Sequence, residues 1–151
     1  MKKFNIILLI LWLVTIFIFS QDNGDVSSSK SDGIANVTIN IISDITGKKL
    51  NMDTCTFIIR KVAHFIEYMI LGILIINVFK DYKNIDNKML IICILLCFIY
   101  ACSDELHQLF IAERSARFTD VLIDTSGSSF GIFIYNLFYK NKKRLNNKGK
   151  V

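Results

Sequence analysis

The sequence predicts an all-α membrane protein, a bundle of four transmembrane helices with the N- and C-termini on the cytoplasmic side. Hydrophobic residues make up 52% of the 151 residues, mean hydropathy is +0.44 and proline is absent, which is too apolar for an ordinary soluble domain of this size. Four stretches approach the roughly 20 apolar residues that a membrane span needs. The positive residues between them follow membrane topology, so a nucleic-acid partner is not expected.

The predicted spans cover residues 4–20, 57–79, 89–110 and 118–139 of a single membrane domain, residues 1–151. Eleven of the 18 Lys and Arg residues lie before the first span, in the link between the second and third spans, or in the basic tail 140–151. Cytoplasmic loops carry an excess of Lys and Arg, so both termini are predicted to be cytoplasmic and the membrane to be the plasma membrane.

The first span has one alternative interpretation, a cleaved signal peptide, because MKKFN precedes an apolar run. The run is slightly long for that role, and FSQDNG lacks the small-residue pattern of a cleavage site. A retained helix is therefore the favoured prediction.

The predicted outer loop, residues 21–56, begins with the polar stretch QDNGDVSSSKSDG, whose composition is expected to stay unordered. Its second half differs, because Ile34, Val37, Ile41, Ile42 and Ile45 recur at helical spacing. The pattern predicts an amphipathic helix over 34–46. That helix either lies flat on the membrane surface or packs over the bundle, and the pattern does not separate these alternatives.

Three predicted spans carry an ionisable residue at one depth. His64, Asp104 and Asp124 each lie 16 residues from a lysine at the cytoplasmic end of the same span, or about 24 Å along a helix. That depth is in the outer part of a hydrocarbon core roughly 30 Å thick. Charges are costly in lipid, so these residues are expected to face one another in a polar pocket open to the outside.

Other polar residues share the helix faces of these three. By helical spacing, Arg60 and Glu67 accompany His64, His107 and Gln108 accompany Asp104, and Arg117 and Asp120 accompany Asp124. In GSSFG, Gly127 and Gly131 have a spacing that lets another helix approach closely, and packing is the favoured interpretation.

No metal and no cofactor are predicted. Cys93, Cys97 and Cys102 lie within the third span, and Cys55 has no obvious partner, so neither a disulfide nor a CxxC site is indicated. A zinc set drawn from His64, Glu67, Asp104 or Glu105, and His107 is an alternative. With only two histidines, a buried histidine bonded to a carboxylate is favoured over it.

Three segments resemble the VanZ-like family of small bacterial membrane proteins: RKVAHFIEYMILG, SDELHQLF and ERSARFTDVLIDTSGSSFG, in that order. The stretch IFSQDNGDVSSSKS also resembles the family's serine-rich segment. The family pattern falls on His64, Glu67, Tyr68, Asp104, Glu105, His107, Gln108, Arg114, Asp120, Asp124 and Gly127. The family usually has Pro-Gly where Ala112 and Glu113 stand here, so the turn that presents Arg114 is expected to differ.

The resemblance implies membership of a group named for a factor that lowers susceptibility to glycopeptides such as teicoplanin. The favoured hypothesis is non-enzymatic: the outer-leaflet pocket binds the head group of a lipid or a cell-wall precursor, or the protein shapes the envelope so that lipid-tailed glycopeptides dock less well. The expected partners are membrane lipid and either a lipid-linked cell-wall precursor or a glycopeptide. Arg114 and Arg117 are suited to gripping phosphate.

The main alternative is a membrane-embedded hydrolase or transferase that modifies a lipid-linked phosphate or glycan. Its catalytic candidates are His64, Glu67, Asp104, Glu105 and His107. A proton relay is less favoured, because the inner halves of the spans are apolar.

Overall fold

The computed structural model describes residues 2–22, 24–47, 50–112, 114 and 116–148, which contain helices and no strand. The helices are α1 Lys2–Ser20, α2 Gly24–Thr46, α3 Met52–Phe79, α4 Asn87–Gln108 and α5 Phe118–Lys148. Two starts are capped by side chains: Asn51 accepts a hydrogen bond from the backbone N–H of Thr54, and Asp86 accepts one from that of Met89. Such caps satisfy amide groups that have no partner within the helix.

Three of these helices, α1, α3 and α4, are long and apolar enough to cross a membrane. They make the chain a multi-pass membrane protein. Helix α5 covers the predicted fourth span but does not reach the same hydropathy, since Asp124 and several serines interrupt its apolar residues. It also continues as a helix through most of the predicted basic tail.

Helix α2 corrects one expectation, because the polar stretch after α1 is helical from Gly24 rather than unordered. Packing against α3 explains the difference: Ala35 is fully buried, and the Thr56 hydroxyl donates a 2.8 Å hydrogen bond to Asp32 Oδ1. The apolar stripe of Ile34, Val37, Ile41 and Ile45 remains exposed. The helix therefore packs over the bundle by its small residues and keeps a second, apolar face available to a membrane surface.

Helices α3 and α5 approach each other backbone to backbone. A Cβ added at Gly127 or Gly131 would overlap the backbone carbonyl of Phe65 or Met69 on α3, and one at Gly72 would overlap that of Ser128 on α5. Only glycine permits so close an approach. This contact sets the spacing between the two helices beneath the polar residues.

One end of the bundle, called the basic end below, carries Lys2 and Lys3, the lysines that flank the α3–α4 link, and the lysines of late α5. There, Asn5 Nδ2 donates a 2.7 Å hydrogen bond to Asp81 Oδ2, which joins the start of α1 to the link after α3. The Lys80 ammonium lies 5.2 Å from the ring centroid of Tyr135, which joins the end of α3 to α5. The α1–α2 and α4–α5 connections lie at the opposite end, where the candidate site is found.

Candidate functional site

Two adjoining cavities occupy the end of the bundle opposite the basic end. The apolar-walled cavity has a volume of about 320 Å³ and lies among α1, α2, α3 and α4. The polar cavity has a volume of about 180 Å³ and lies toward the start of α5. Arg60, His64 and Arg114 line both. These three residues therefore form the junction between the cavities.

The apolar-walled cavity combines a hydrocarbon wall with ionisable groups. Ile16, Phe19 and Ile59 contribute apolar surface, while Glu67 and Asp104 contribute carboxylates. Helix α1 is held here because the indole N–H of Trp12 donates a 3.0 Å hydrogen bond to the backbone oxygen of Glu67. Such a mixed lining suits an amphiphilic ligand better than a wholly polar one.

The polar cavity is lined by Lys61, Gln108, Arg117 and Asp120 in addition to the junction residues. Lys61 Nζ lies 2.5 Å from Asp120 Oδ1, an ion pair that joins α3 to α5. Gln108 Nε2 donates a 3.2 Å hydrogen bond to Asp104 Oδ2, so the two cavities are connected through one buried polar pair on α4.

The junction contains two guanidinium groups, those of Arg60 and Arg114. Arg114 Nη2 donates a 3.4 Å hydrogen bond to the backbone oxygen of Phe19, while its buried Nε has no hydrogen-bond partner within the described part of the chain. Burial, and then the positive charge of Arg60, lower the pKa of Arg114. An anion bound at the two guanidinium groups would offset this repulsion.

His64 is backed by a carboxylate from α5. Its Nδ1 lies 3.4 Å from Asp124 Oδ1; the His64 side chain is 20% exposed and that of Asp124 is 0% exposed. Neither oxygen of Asp124 has a hydrogen-bond partner among the described residues. The carboxylate thus lies behind the imidazole at ion-pair distance, while His64 lines both cavities.

Some of the residues singled out by the sequence lie elsewhere. Glu105 Oε2 accepts a 2.9 Å hydrogen bond from the backbone N–H of Arg117, and the His107 ring packs against Phe17 with centroids 4.9 Å apart. Tyr68 is fully buried, with its ring centroid 6.2 Å from that of Tyr100. None of these three side chains lines either of the two cavities.

This separation also bears on the alternative zinc set. Within the described ranges, no three His, Cys, Asp or Glu side chains come together as a metal-ligand group. Glu105 faces the start of α5 and His107 faces α1, whereas His64 and Asp104 face the cavities. The members of that set are therefore divided between the apolar-walled cavity, the start of α5 and α1.

The structure adds lining residues that the sequence patterns did not indicate, namely Lys61 on α3 and Ser27 and Ser31 on α2. Arg60 also lines both cavities. Arg60 precedes His64 by four residues, so helical spacing signalled its position. The serines gave no comparable signal, because serine-rich stretches are also typical of disordered loops.

Comparison with known proteins places most of the chain in one family. A family model described as VanZ/LLP1 matches residues 4–139, from the first turn of α1 to the middle of α5. No curated protein and no solved structure gives a significant match. The family match includes every residue of both cavities described above. The chain therefore belongs to the VanZ/LLP1 family.

Proposed function

We propose that this protein lowers susceptibility to teicoplanin-type glycopeptides by binding the head group of a membrane lipid or a lipid-linked cell-wall precursor. The observation that carries the proposal is the junction, where Arg60 and Arg114 lie between an apolar-walled cavity and a polar one. Guanidinium groups bind phosphate through paired, charge-assisted hydrogen bonds. The phosphate of the ligand would lie at these two residues.

The flanking cavities suit the two sides of such a ligand. The apolar wall of Ile16, Phe19 and Ile59 accepts the part next to the lipid chain. Asp120 and Gln108 in the polar cavity offer acceptors and donors to hydroxyl or amide groups of a head group. A bound precursor would be less available to a lipid-tailed glycopeptide at the membrane surface.

The proposal includes a topology. Helix α5 crosses the plasma membrane as the fourth span, both termini are cytoplasmic and the cavities open to the outer face. The clustering of lysines at the basic end supports this orientation through the positive-inside rule. The charges within α5 oppose crossing less than its composition suggests, because Asp124 is fully buried against α3 rather than exposed to lipid.

Cysteine labelling tests this topology. In a chain with its four cysteines replaced, Ser29→Cys on exposed α2 and Asn141→Cys near the end of α5 supply matched single thiols. A membrane-impermeant maleimide applied to intact cells should label only Ser29→Cys. After cell lysis it should label both variants. Labelling of Asn141→Cys in intact cells would overturn the orientation.

Drug susceptibility tests the function. Cells that make the wild-type protein should need more teicoplanin for growth inhibition, and should bind less fluorescent drug, than cells without it. Arg60→Gln/Arg114→Gln should lose both effects, while Lys3→Gln/Lys88→Gln, with the same charge change at the basic end, should keep them. Equal drug susceptibility and binding with and without the wild-type protein would refute the proposal.

A second candidate function, a hydrolase or transferase acting on a lipid-linked phosphate or glycan, is favoured by the His64–Asp124 pair. An imidazole that lines a cavity and has a buried carboxylate 3.4 Å behind it is a suitable general base. Mass spectrometry of membrane lipids from cells with wild-type protein or His64→Gln distinguishes the two functions. Turnover predicts a product that only the wild type forms, whereas binding alone predicts identical lipids.

A further inference from the structure

A separate cavity lies at the basic end, between the end of α3 and the second half of α5. Its volume is about 1130 Å³ and it is open to the surface. We call it the basic groove, defined by Ile73, Ile134, Phe138, Lys80, Lys142 and Lys143. It contains no residue of the two cavities at the opposite end and has no role in the proposed function.

The lining of the basic groove changes character along the helix axes. Ile73 on α3 lies seven residues before Lys80, and Ile134 on α5 lies eight residues before Lys142. At 1.5 Å per residue these separations are about 10–12 Å. The groove is thus apolar toward the middle of the bundle and cationic toward its end, the same order as the acyl chain and head group of a lipid.

Charge in the basic groove has one sign. Three lysines line it, and none of its described lining residues is Asp or Glu. The phenol of Tyr135 donates a 2.8 Å hydrogen bond to Asn77 Oδ1, which holds the ring beside the Lys80 ammonium. Helix α5 continues to Lys148, so Lys142 and Lys143 are carried on an ordered helix.

We propose that the basic groove binds an anionic phospholipid, with its phosphate at Lys80, Lys142 and Lys143 and an acyl chain along Ile73, Ile134 and Phe138. Lysines beside a transmembrane helix attract anionic lipid. The apolar residues of the groove favour an amphiphile over a soluble anion, because a soluble anion would leave their side chains uncovered. The volume also exceeds the roughly 300–1,000 Å³ of ordinary small-molecule sites. The site anchors α5 to α3 at the membrane boundary.

Native mass spectrometry of the full chain, purified in nonionic detergent, tests the proposal with phosphatidylglycerol and phosphatidylcholine of the same acyl composition. The wild type should retain phosphatidylglycerol preferentially. The affinity for phosphatidylglycerol should fall about fivefold for each lysine replaced, because that is the contribution of one cation near an anionic surface. Lys80→Gln/Lys142→Gln/Lys143→Gln should therefore bind far more weakly than Lys3→Gln/Lys83→Gln/Lys88→Gln, which has the same net charge and an intact groove.

Three results would overturn the proposal. An equal loss of affinity in the two triple variants would mean that the lipid is attracted by diffuse charge. Equal retention of both lipids by the wild type would mean that the groove does not select the head group. Competition by glycerol phosphate, which lacks acyl chains, would identify a soluble-anion site. If the groove triple variant does not give a monodisperse, helical protein, single Lys143→Gln and Lys83→Gln variants replace the two triples, with the same expected contrast.

Discussion

His64 Nδ1 on α3 lies 3.4 Å from Oδ1 of Asp124 on α5, and the Asp124 side chain is completely shielded from solvent. The pair lies on the contact surface that Gly127 creates by letting α5 approach the backbone at Phe65. A carboxylate buried at this position requires a partner, because an unpaired charge in a low-dielectric interior is costly. The pair therefore connects helix packing to the candidate site.

His64 and Asp124 are predicted to be coupled in their contribution to the free energy of unfolding. His64→Ala leaves the buried carboxylate unpaired and should lower the free energy of unfolding by about 1–3 kcal/mol. In His64→Ala/Asp124→Asn the combined loss should be smaller than the sum of the single losses by at least about 0.5 kcal/mol. Denaturant unfolding in mixed micelles measures the cycle. Additive losses would show that the two side chains do not interact.

The glycine contact predicts a graded loss of stability. Gly127→Ala and Gly72→Ala each place a Cβ against a backbone carbonyl of the opposite helix, and such overpacking should cost about 1–3 kcal/mol. Gly33→Ala is the matched control, since nothing lies within 4 Å of its Cβ position on α2. It should be neutral or stabilise the helix by up to about 1 kcal/mol. Thermal unfolding of all three variants checks the order, and a stable Gly127→Ala would refute the close approach.

Arg60→Gln is predicted to have opposite effects on stability and on binding. Removing one of two repelling guanidinium groups should leave the unliganded protein unchanged or more stable by up to about 1 kcal/mol. The same change should weaken a phosphate-bearing ligand by roughly tenfold or more, through loss of a charge-assisted hydrogen bond. Thermal unfolding with and without lipid measures both.

The neighbouring residue supplies the control for that experiment. Lys61→Gln removes the same charge but breaks the ion pair with Asp120, so it should lower the stability of the unliganded protein. Destabilisation by both variants would contradict repulsion at the junction.

Glu105 is predicted to support α5 and not the ligand. Its Oε2 accepts the backbone N–H of Arg117, one residue before α5 begins. Glu105→Ala should therefore cost about 1–2 kcal/mol of stability, as loss of a helix cap does, while Glu105→Gln keeps an acceptor and should cost less. Lipid affinity of the folded Glu105→Gln protein should equal that of the wild type, whereas Glu67→Gln should change it, because Glu67 lines the apolar-walled cavity. Loss of affinity in Glu105→Gln alone would reverse the assignment.

The membrane helices could be predicted from the sequence, because a helix that crosses lipid must be long and apolar. Residues 4–20, 57–79 and 89–110 correspond closely to α1, α3 and α4. His64 and Asp104, which counting along the spans placed at one depth, both line the apolar-walled cavity. Rotation about each helix axis was harder to predict. Helical spacing placed His107 on the face of Asp104, and the family pattern added Glu105, yet His107 faces α1 and Glu105 faces the start of α5.

The sequence by itself determined where apolar helices run, which of their ends are basic and which ionisable residues lie at one level, because hydropathy, charge and helical rise are local properties. Tertiary structure alone decided which of these residues meet. Pairing of His64 with Asp124, exclusion of Glu105 from the cavities and ordering of α2 against α3 depend on how each helix is rotated and what covers it. Those quantities are set by contacts between distant segments, such as the glycine contact between α3 and α5, and no local pattern encodes them.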